Sequence, residues 1–271
     1  MKASGPALVT GASRGLGRAV AVELARRGFE VLATMRDPGD GASLAGKAAE
    51  FPGSIRVAQL DVVRPETIEI PAGLRVLVNN AAIESAYEPL EHTPLAAWRA
   101  VFETNVFGLA ELTRRALPSL RTAGGAVVCN VTSAARLFPM PFYAVYRASK
   151  AAVAALSESL AAEGAEHGIR VVEVMPGPIA TDLFAASDRE PEAARHEPYR
   201  ELAAWARRGR QATDAAKTPA EEAARSIAGA ILDDGAPLRV ACDELGSALL
   251  TAADATPHAE RMRAALDAMR R

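Results

Sequence analysis

Seven short apolar runs punctuate the chain: Ala7–Val9, Val31–Thr34, Ile55–Leu60, Val76–Val78, Ala126–Val131, Val171–Met175 and Leu238–Ala241. They are rich in β-branched residues and mostly lack the alternation of a half-exposed strand, a pattern that predicts strands buried on both faces of a parallel sheet. Between them lie longer segments with helical spacing. Leu16–Arg27 carries an apolar face and stops at Gly28. Thr93-Pro94 reads as an N-cap followed by proline at the first helical position, opening a helix through Trp98. Thr218-Pro219 repeats that signal before Ala220–Leu232. Such alternation predicts an α/β fold with a doubly wound parallel sheet of about seven strands, binding ligands at the carboxyl ends of the strands.

No composition break or Gly/Ser linker divides the 271 residues, so 1–271 reads as a single domain. Residues 183–217 break the strand–helix rhythm and carry Phe184, Tyr199 and Trp205, which suggests a lid inserted over a ligand site. A formal charge of −2 with no long basic run argues against nucleic acid as a partner. Cys129 and Cys242 lie far apart and do not cluster with His92, His167, His196 or His258. Inert thiols, no metal site and a cytoplasmic protein are expected. Neither a signal peptide nor an apolar stretch long enough to span a membrane is visible.

The first apolar run leads into TGASRGLG, with Gly11, Gly15 and Gly17 ahead of a helix. Glycines let the backbone approach a pyrophosphate, and the free N–H groups at a helix start favour the anion. The plainer reading is a turn cluster with no ligand. In NAD binders an acid ending the second strand usually holds the ribose 2′-hydroxyl. In VLATMRD that position holds Met35, Arg36 follows, and Arg14 sits in the glycine loop. Two guanidinium groups suit a 2′-phosphate, so NADP(H) is expected rather than NAD. Asp37 begins DPGDG and reads as the start of a turn.

FYAVYRASK, residues 142–150, holds Tyr143 and Tyr146. Tyr146 has Lys150 four residues on, whereas Tyr143 has Arg147. On a helix i and i+4 share a face, and an ammonium beside a phenol should lower its pKa towards working pH. Alone, such a pair is equally a surface contact without a role.

Taken in order, these motifs resemble the short-chain dehydrogenase/reductase family, which implies a Rossmann-type fold. VCNVTSAAR places Ser133 at the family's spacing before Tyr146, and FETNVFG supplies Asn105. The resemblance makes Asn105, Ser133, Tyr146 and Lys150 the catalytic set. In it Ser133 hydrogen-bonds the substrate oxygen and Asn105 orients a water and the lysine. Thr132 is the neighbour that a one-residue slip would select. NNAA, residues 79–82, resembles the family's NNAG, and MPGPIAT, residues 175–181, the segment around the nicotinamide carboxamide. The implied cofactor set is Gly11, Ser13, Arg14, Gly15, Leu16, Gly17, Arg36, Asp61, Val62, Asn79, Ala81, Tyr146, Lys150, Pro176, Gly177, Ile179 and Thr181. Asp61 is the residue expected against the adenine amino group.

The resemblance implies NADPH-dependent reduction of a ketone or aldehyde, reversible as alcohol oxidation, with Tyr146 as general acid. A lyase or isomerase on the same scaffold, or a non-catalytic nucleotide sensor, are the alternatives. A homodimer or homotetramer is expected through the helices around 105–120 and 146–163. The pattern breaks between Asp61 and Asn79, where Pro65 and Pro71 leave room for one helical turn at most, so one flank of the sheet should be less covered. The charged segment His258–Arg271 could form an amphipathic helix of unassigned position. Pocket walls should come from Ile83, Tyr87, Leu137, Phe138, Met140, Phe142, Tyr143, Leu183 and Phe184, with Tyr199, Leu202 and Trp205 further along the lid. These suit an apolar small-molecule carbonyl, unless they only pack the lid down, and Arg136 is the one obvious charge for an acidic substrate.

Overall fold

The computed structural model describes residues 1–46, 50–181 and 190–270. Leu183 and Phe184, expected in the lid, lie outside them. The seven apolar runs form β1 (Pro6–Val9), β2 (Glu30–Met35), β3 (Ser54–Gln59), β4 (Val76–Asn79), β5 (Ala126–Val131), β6 (Ile169–Met175) and, last in the sheet, β9 (Arg239–Ala241). They pair in the order β3-β2-β1-β4-β5-β6-β9, every neighbouring pair parallel. The chain winds outward from β1 to β3 and then in the other direction from β4. The strand order therefore reverses at the β1/β4 seam, where such sheets open a ligand crevice. Two further strands, β7 (Ile179–Ala180) and β8 (Thr218–Pro219), make a separate two-stranded pair.

Each face of the sheet has its own core. On one, α1 (Gly15–Arg27) lays Val20, Leu24 and Ala25 beside Ala224, Ile227, Ala228 and Ile231 of α7 (Ala220–Leu232). The alanines let the helices approach closely. Gly28, φ 115°, ends α1, its N–H donating to Ala25 and that of Phe29 to Leu24, a left-handed glycine stop. On the other face Leu8, Leu32 and Leu77 meet Leu112, Ala116 and Leu120 of α4 (Leu109–Ala123) and Leu160 of α5 (Ala144–Ala165).

The β3–β4 connection contains a single 3-10 turn, Pro65–Thr67, as its two prolines require. Ile68 and Leu74 cover Leu32 and Leu77 there, and Ser119 of α4 holds the connection by bonds to Leu74 N and Pro71 O. Arg56 on β3 stays exposed, so this flank is less covered than the rest.

A single helical turn, α2 (Ala42–Ala45), precedes β3. Both expected proline signals sit one residue off. Pro94 and Pro219 occupy the N-caps of α3 (Leu95–Phe102) and α7 rather than the first helical position. Thr93 donates to the Pro89 carbonyl and Thr218 pairs with Ile179, so neither threonine caps a helix. After two 3-10 turns, Glu192–Arg195 and Glu197–Tyr199, comes α6 (Arg200–Ala212). The chain ends in α8 (Glu244–Ala255) and α9 (His258–Met269). Trp205 on α6 donates to the Ala268 carbonyl, which places α9 beside α6. No described helix is long and apolar enough to cross a membrane.

Candidate active site

A cleft of about 560 Å³ opens at the carboxyl ends of β1, β2, β4, β5 and β6. Gly11, Ser13, Arg14, Gly15, Leu16 and Gly17 form its floor. Gly11 and Gly15 have φ of 64° and 56°, in the left-handed region that favours glycine. At Gly17 the reason is close packing: a Cβ there would strike the Gly11 carbonyl and the Asn80 amide. No side chain caps the start of α1 and no acid sits in its first turn. Its N–H groups and dipole thus face the cleft ready for an anion, as a pyrophosphate would require.

At the adenine end Met35, Arg36, Asp61 and Val62 line the cleft. Asp37 instead accepts from Gly39 N at 2.9 Å as cap of a 3-10 turn, the turn role expected for it. At the inner end lie Ala81, Pro176, Gly177, Ile179 and Thr181.

Asn79 is placed differently from expectation, outside the lining. It is buried, and its amide donates to Thr113 Oγ1 at 3.0 Å and Asn130 Oδ1 at 2.8 Å, tying α4 to the sheet. Asn80, which the sequence reading passed over, faces the glycine loop. Its amide donates to the Thr10 and Gly11 carbonyls at 2.9 and 3.3 Å. Successive strand residues point to opposite faces, so the second asparagine of NNAA was the available signal.

Ser133 leaves β5 as the cap of a short 3-10 turn, accepting from Ala135 N at 3.2 Å. Its side chain and that of Tyr146 line the same cleft, and Ser133 acts to lower the Tyr146 pKa. Tyr146 and Lys150 share one face of α5, with Lys150 Nζ 5.6 Å from the tyrosine ring centre and donating to the Val131 carbonyl at 2.8 Å. Phe142, just before this helix, has φ 67° and is the one non-glycine described residue with positive φ. Asn105 lies behind the cleft on a π-helical turn, Glu103–Gly108, between α3 and α4. Its amide group exchanges two bonds with the Ile83 backbone, at 2.8 and 2.9 Å, and donates to Ser149 Oγ at 3.1 Å. Asn105 therefore clamps the loop after β4 against α5, a position a π-bulge often serves. Thr132 is turned away, donating to Glu173 and the Val174 carbonyl.

The electrostatics reverse one expectation. Burial, followed by the charge of Glu84, pushes the Tyr146 phenol well above its ordinary range, and the nearby Ser133 hydroxyl opposes this only in part. Burial lowers Lys150 from 10.5 to about 8. Such a base favours the fold above its unfolded pKa, and that contribution is lost as pH falls through about 8. Lys150→Met should thus raise stability by about 1–3 kcal/mol near neutral pH, net of the lost hydrogen bond, and lower it by about 1 kcal/mol above the unfolded pKa, where only that bond counts. Chemical denaturation at neutral and at alkaline pH checks this; the same change at both would refute it.

The walls hold other departures. Arg136 does not face the cleft: its guanidinium pairs with the fully buried Glu173 at 2.9 Å, where Arg239 also binds at 3.1 Å. The charges that do line the cleft near Tyr146, besides Lys150, are Glu84 and Arg210. Of the expected apolar walls, Ile83, Met140, Tyr143 and Trp205 line it, joined by Leu245 and Leu249 of α8. Tyr87 stacks on Tyr143 with centroids 4.5 Å apart, and Phe142 meets Tyr199 edge-on at 6.1 Å. Neither Tyr87, Phe142 nor Tyr199 lines the cleft, and nor do Leu137, Phe138 and Leu202. Among the described residues no group of three or more metal-ligating side chains converges.

This fold, with a glycine loop at the switch point and Ser133, Tyr146 and Lys150 on the facing wall, is that of a dinucleotide-binding α/β protein. The family model described as short chain dehydrogenase matches residues 6–192, and the chain belongs to that family. Retinol dehydrogenase 8 of Bos taurus is 39% identical over 186 residues, 65% of this chain and 59% of that protein's length. A short chain dehydrogenase of Burkholderia cenocepacia J2315, solved with NADP, superposes with TM-score 0.73 at 26% identity, covering 99% of this chain and 98% of that one. One from Burkholderia phymatum, solved with NAD, gives TM-score 0.76 at 25% identity, covering 94% and 93%.

Proposed function

We propose that the chain is an NADPH-dependent carbonyl reductase, reversible as an alcohol dehydrogenase, acting on an apolar ketone or aldehyde. The observation that carries this reading is that Ser133 and Tyr146 line one cleft, with Lys150 one turn further along the same helix face as Tyr146. The dinucleotide would lie along the glycine loop, and when bound it supplies hydride at its nicotinamide. Ser133 donates a hydrogen bond to the substrate oxygen and so polarises the carbonyl. Tyr146 passes its hydroxyl proton to that oxygen as the alcohol forms, and in oxidation takes it back. Lys150 keeps donors for the ribose hydroxyls, and Asn105 holds Ile83 and α5 in register. A nucleotide sensor would need none of this set, and all four residues are present.

NADPH preference is supported by Arg14 and Arg36 lining the cleft with Met35 in the place of an acid. Replacing both arginines with alanine should weaken NADPH at least about tenfold more than NADH, since only NADPH carries the 2′-phosphate. Fluorescence titration of both cofactors checks this; equal loss would refute it.

The apolar substrate class rests on Ile83, Met140, Tyr143, Trp205, Leu245 and Leu249, and on the printed name of the retinol dehydrogenase relative. In this reading α6 is part of a lid. Efficiency should rise along a series of ketones of growing apolar bulk, each buried methylene adding about 0.8 kcal/mol. A preference for small charged keto acids would refute it. The same reading expects a cytoplasmic enzyme assembled as a homodimer or homotetramer, for which the exposed Phe107 and Leu95 around α3 offer a face.

A further inference from the structure

Four side chains from three separate segments meet at the mouth of the cleft. Tyr87 donates its hydroxyl to the Glu84 carboxylate, on the loop after β4. Its ring stacks on Tyr143, centroids 4.5 Å apart and planes 18° from parallel. From α6 the Arg210 guanidinium lies 5.8 Å from the Tyr87 ring centre and 5.7 Å from that of Tyr143, and it donates to the Tyr143 hydroxyl. Tyr143 in turn stands edge-on to Tyr146, centroids 6.5 Å apart at 78°. A stacked tyrosine pair is thus held between an anion and a cation, and one of its rings touches the residue that carries the chemistry. The surrounding wall is apolar, so charges act across it with less screening than in water.

We propose that Glu84 and Arg210 are positioning residues for Tyr146, a loop-borne carboxylate and a lid-borne cation that act with opposite sign on its readiness to release a proton. This rests on the reading of Tyr146 as proton donor. Arg210 belongs to α6, so the seating of that helix delivers positive charge to the tyrosines, and its withdrawal removes it. Proton release in the alcohol-oxidising direction is then favoured with α6 in place. The groups acting on Tyr146 are Ser133 from β5, Tyr143 from the preceding turn, Glu84 from the β4 loop and Arg210 from α6, with Lys150 next along its own helix. Of the two charges, that of Glu84 raises its pKa and that of Arg210 lowers it. Glu84 is itself raised by burial, while Tyr87, Arg210 and Lys150 act to lower it.

The chain has four tyrosines, so carbon-13 labelling of the tyrosine ring gives four resonances, and Tyr146→Phe identifies the one that matters. The titration is run on the full chain saturated with NADP⁺ and needs no substrate. In Glu84→Gln the Tyr146 signal should move at a pH lower by about half to one unit, and in Arg210→Gln at a pH higher by a similar amount. Arg210→Lys, which keeps the charge, should stay close to the parent. Shifts of the same sign, no shift, or no titration in Glu84→Gln before the chain unfolds would each overturn the proposal and leave the cluster as packing. The reading of Tyr146 itself stands or falls separately, on loss of turnover in Tyr146→Phe.

Discussion

Tyr146→Phe should lower turnover at least about a hundredfold, within the range a general acid contributes, while NADPH affinity stays close to the parent. The substitution removes one hydroxyl and keeps a ring that is 8% exposed and packed in the wall of the cleft, so no cavity opens. What disappears is the proton donor beside Ser133 on the cleft wall. Tyr143→Phe makes the matching control. Its hydroxyl is held by Arg210 rather than aimed at the reacting end, and its loss should leave most of the activity. Steady-state kinetics with NADPH and a bulky ketone decide between them. The reverse ranking would move the chemistry to Tyr143. Phenols this deeply buried also carry a stability signature. Burial raises Tyr143 to about 12, a contribution to the fold that is full below the ordinary phenol pKa and lost as pH rises through about 12.

Gly17→Ala should abolish useful dinucleotide binding, with a loss of at least about a hundredfold in NADPH affinity. The added methyl would meet the Gly11 carbonyl oxygen and the Asn80 amide, and Asn80 is itself fixed by two bonds to the Thr10 and Gly11 carbonyls. Backbone cannot step aside as the end of a flexible side chain can. The start of α1 must therefore swing away from the loop, and its N–H groups leave the place where a pyrophosphate would sit. Gly229→Ala on α7 is the control: its new methyl meets nothing within 4 Å, and a glycine replaced inside a helix should add about 0.5–1 kcal/mol of stability. Fluorescence titration of NADPH and thermal unfolding of both variants separate lost binding from lost folding. Unchanged affinity in Gly17→Ala would remove the glycine loop from the cofactor site.

Much of this architecture was legible because it rests on local pattern. A strand buried on both faces must be apolar along its length, so all seven sheet strands could be read to within two residues at either end. The glycine loop and the Tyr146–Lys150 pair were legible for the same reason, since their spacings are dictated by one turn and one helix. What was not legible depends on partners distant in sequence. The sequence pointed to Arg136 as the cleft cation and passed over Arg210, and only the fold puts Glu173 beside one and Tyr143 beside the other. Leu245 and Leu249 belong to α8, which follows the last sheet strand, yet α8 folds back to complete the cleft. The sign of the Tyr146 shift follows from depth of burial, which spacing does not encode. Asn79 ends β4 and Asn80 follows it, and that single step sends one to α4 and β5 and the other to the glycine loop.

Incubation of the protein with a bulky apolar ketone and NADPH deuterated on the transferred face of its nicotinamide, followed by mass analysis of the product, tests the central claim most directly. A carbonyl reductase yields the alcohol with deuterium on the carbinol carbon, at a rate that collapses in Tyr146→Phe. An unlabelled product, or a rearranged one formed with the cofactor unconsumed, would contradict it and point to a lyase or isomerase. NADPH bound and never oxidised across the ketone series would leave only a nucleotide-binding protein.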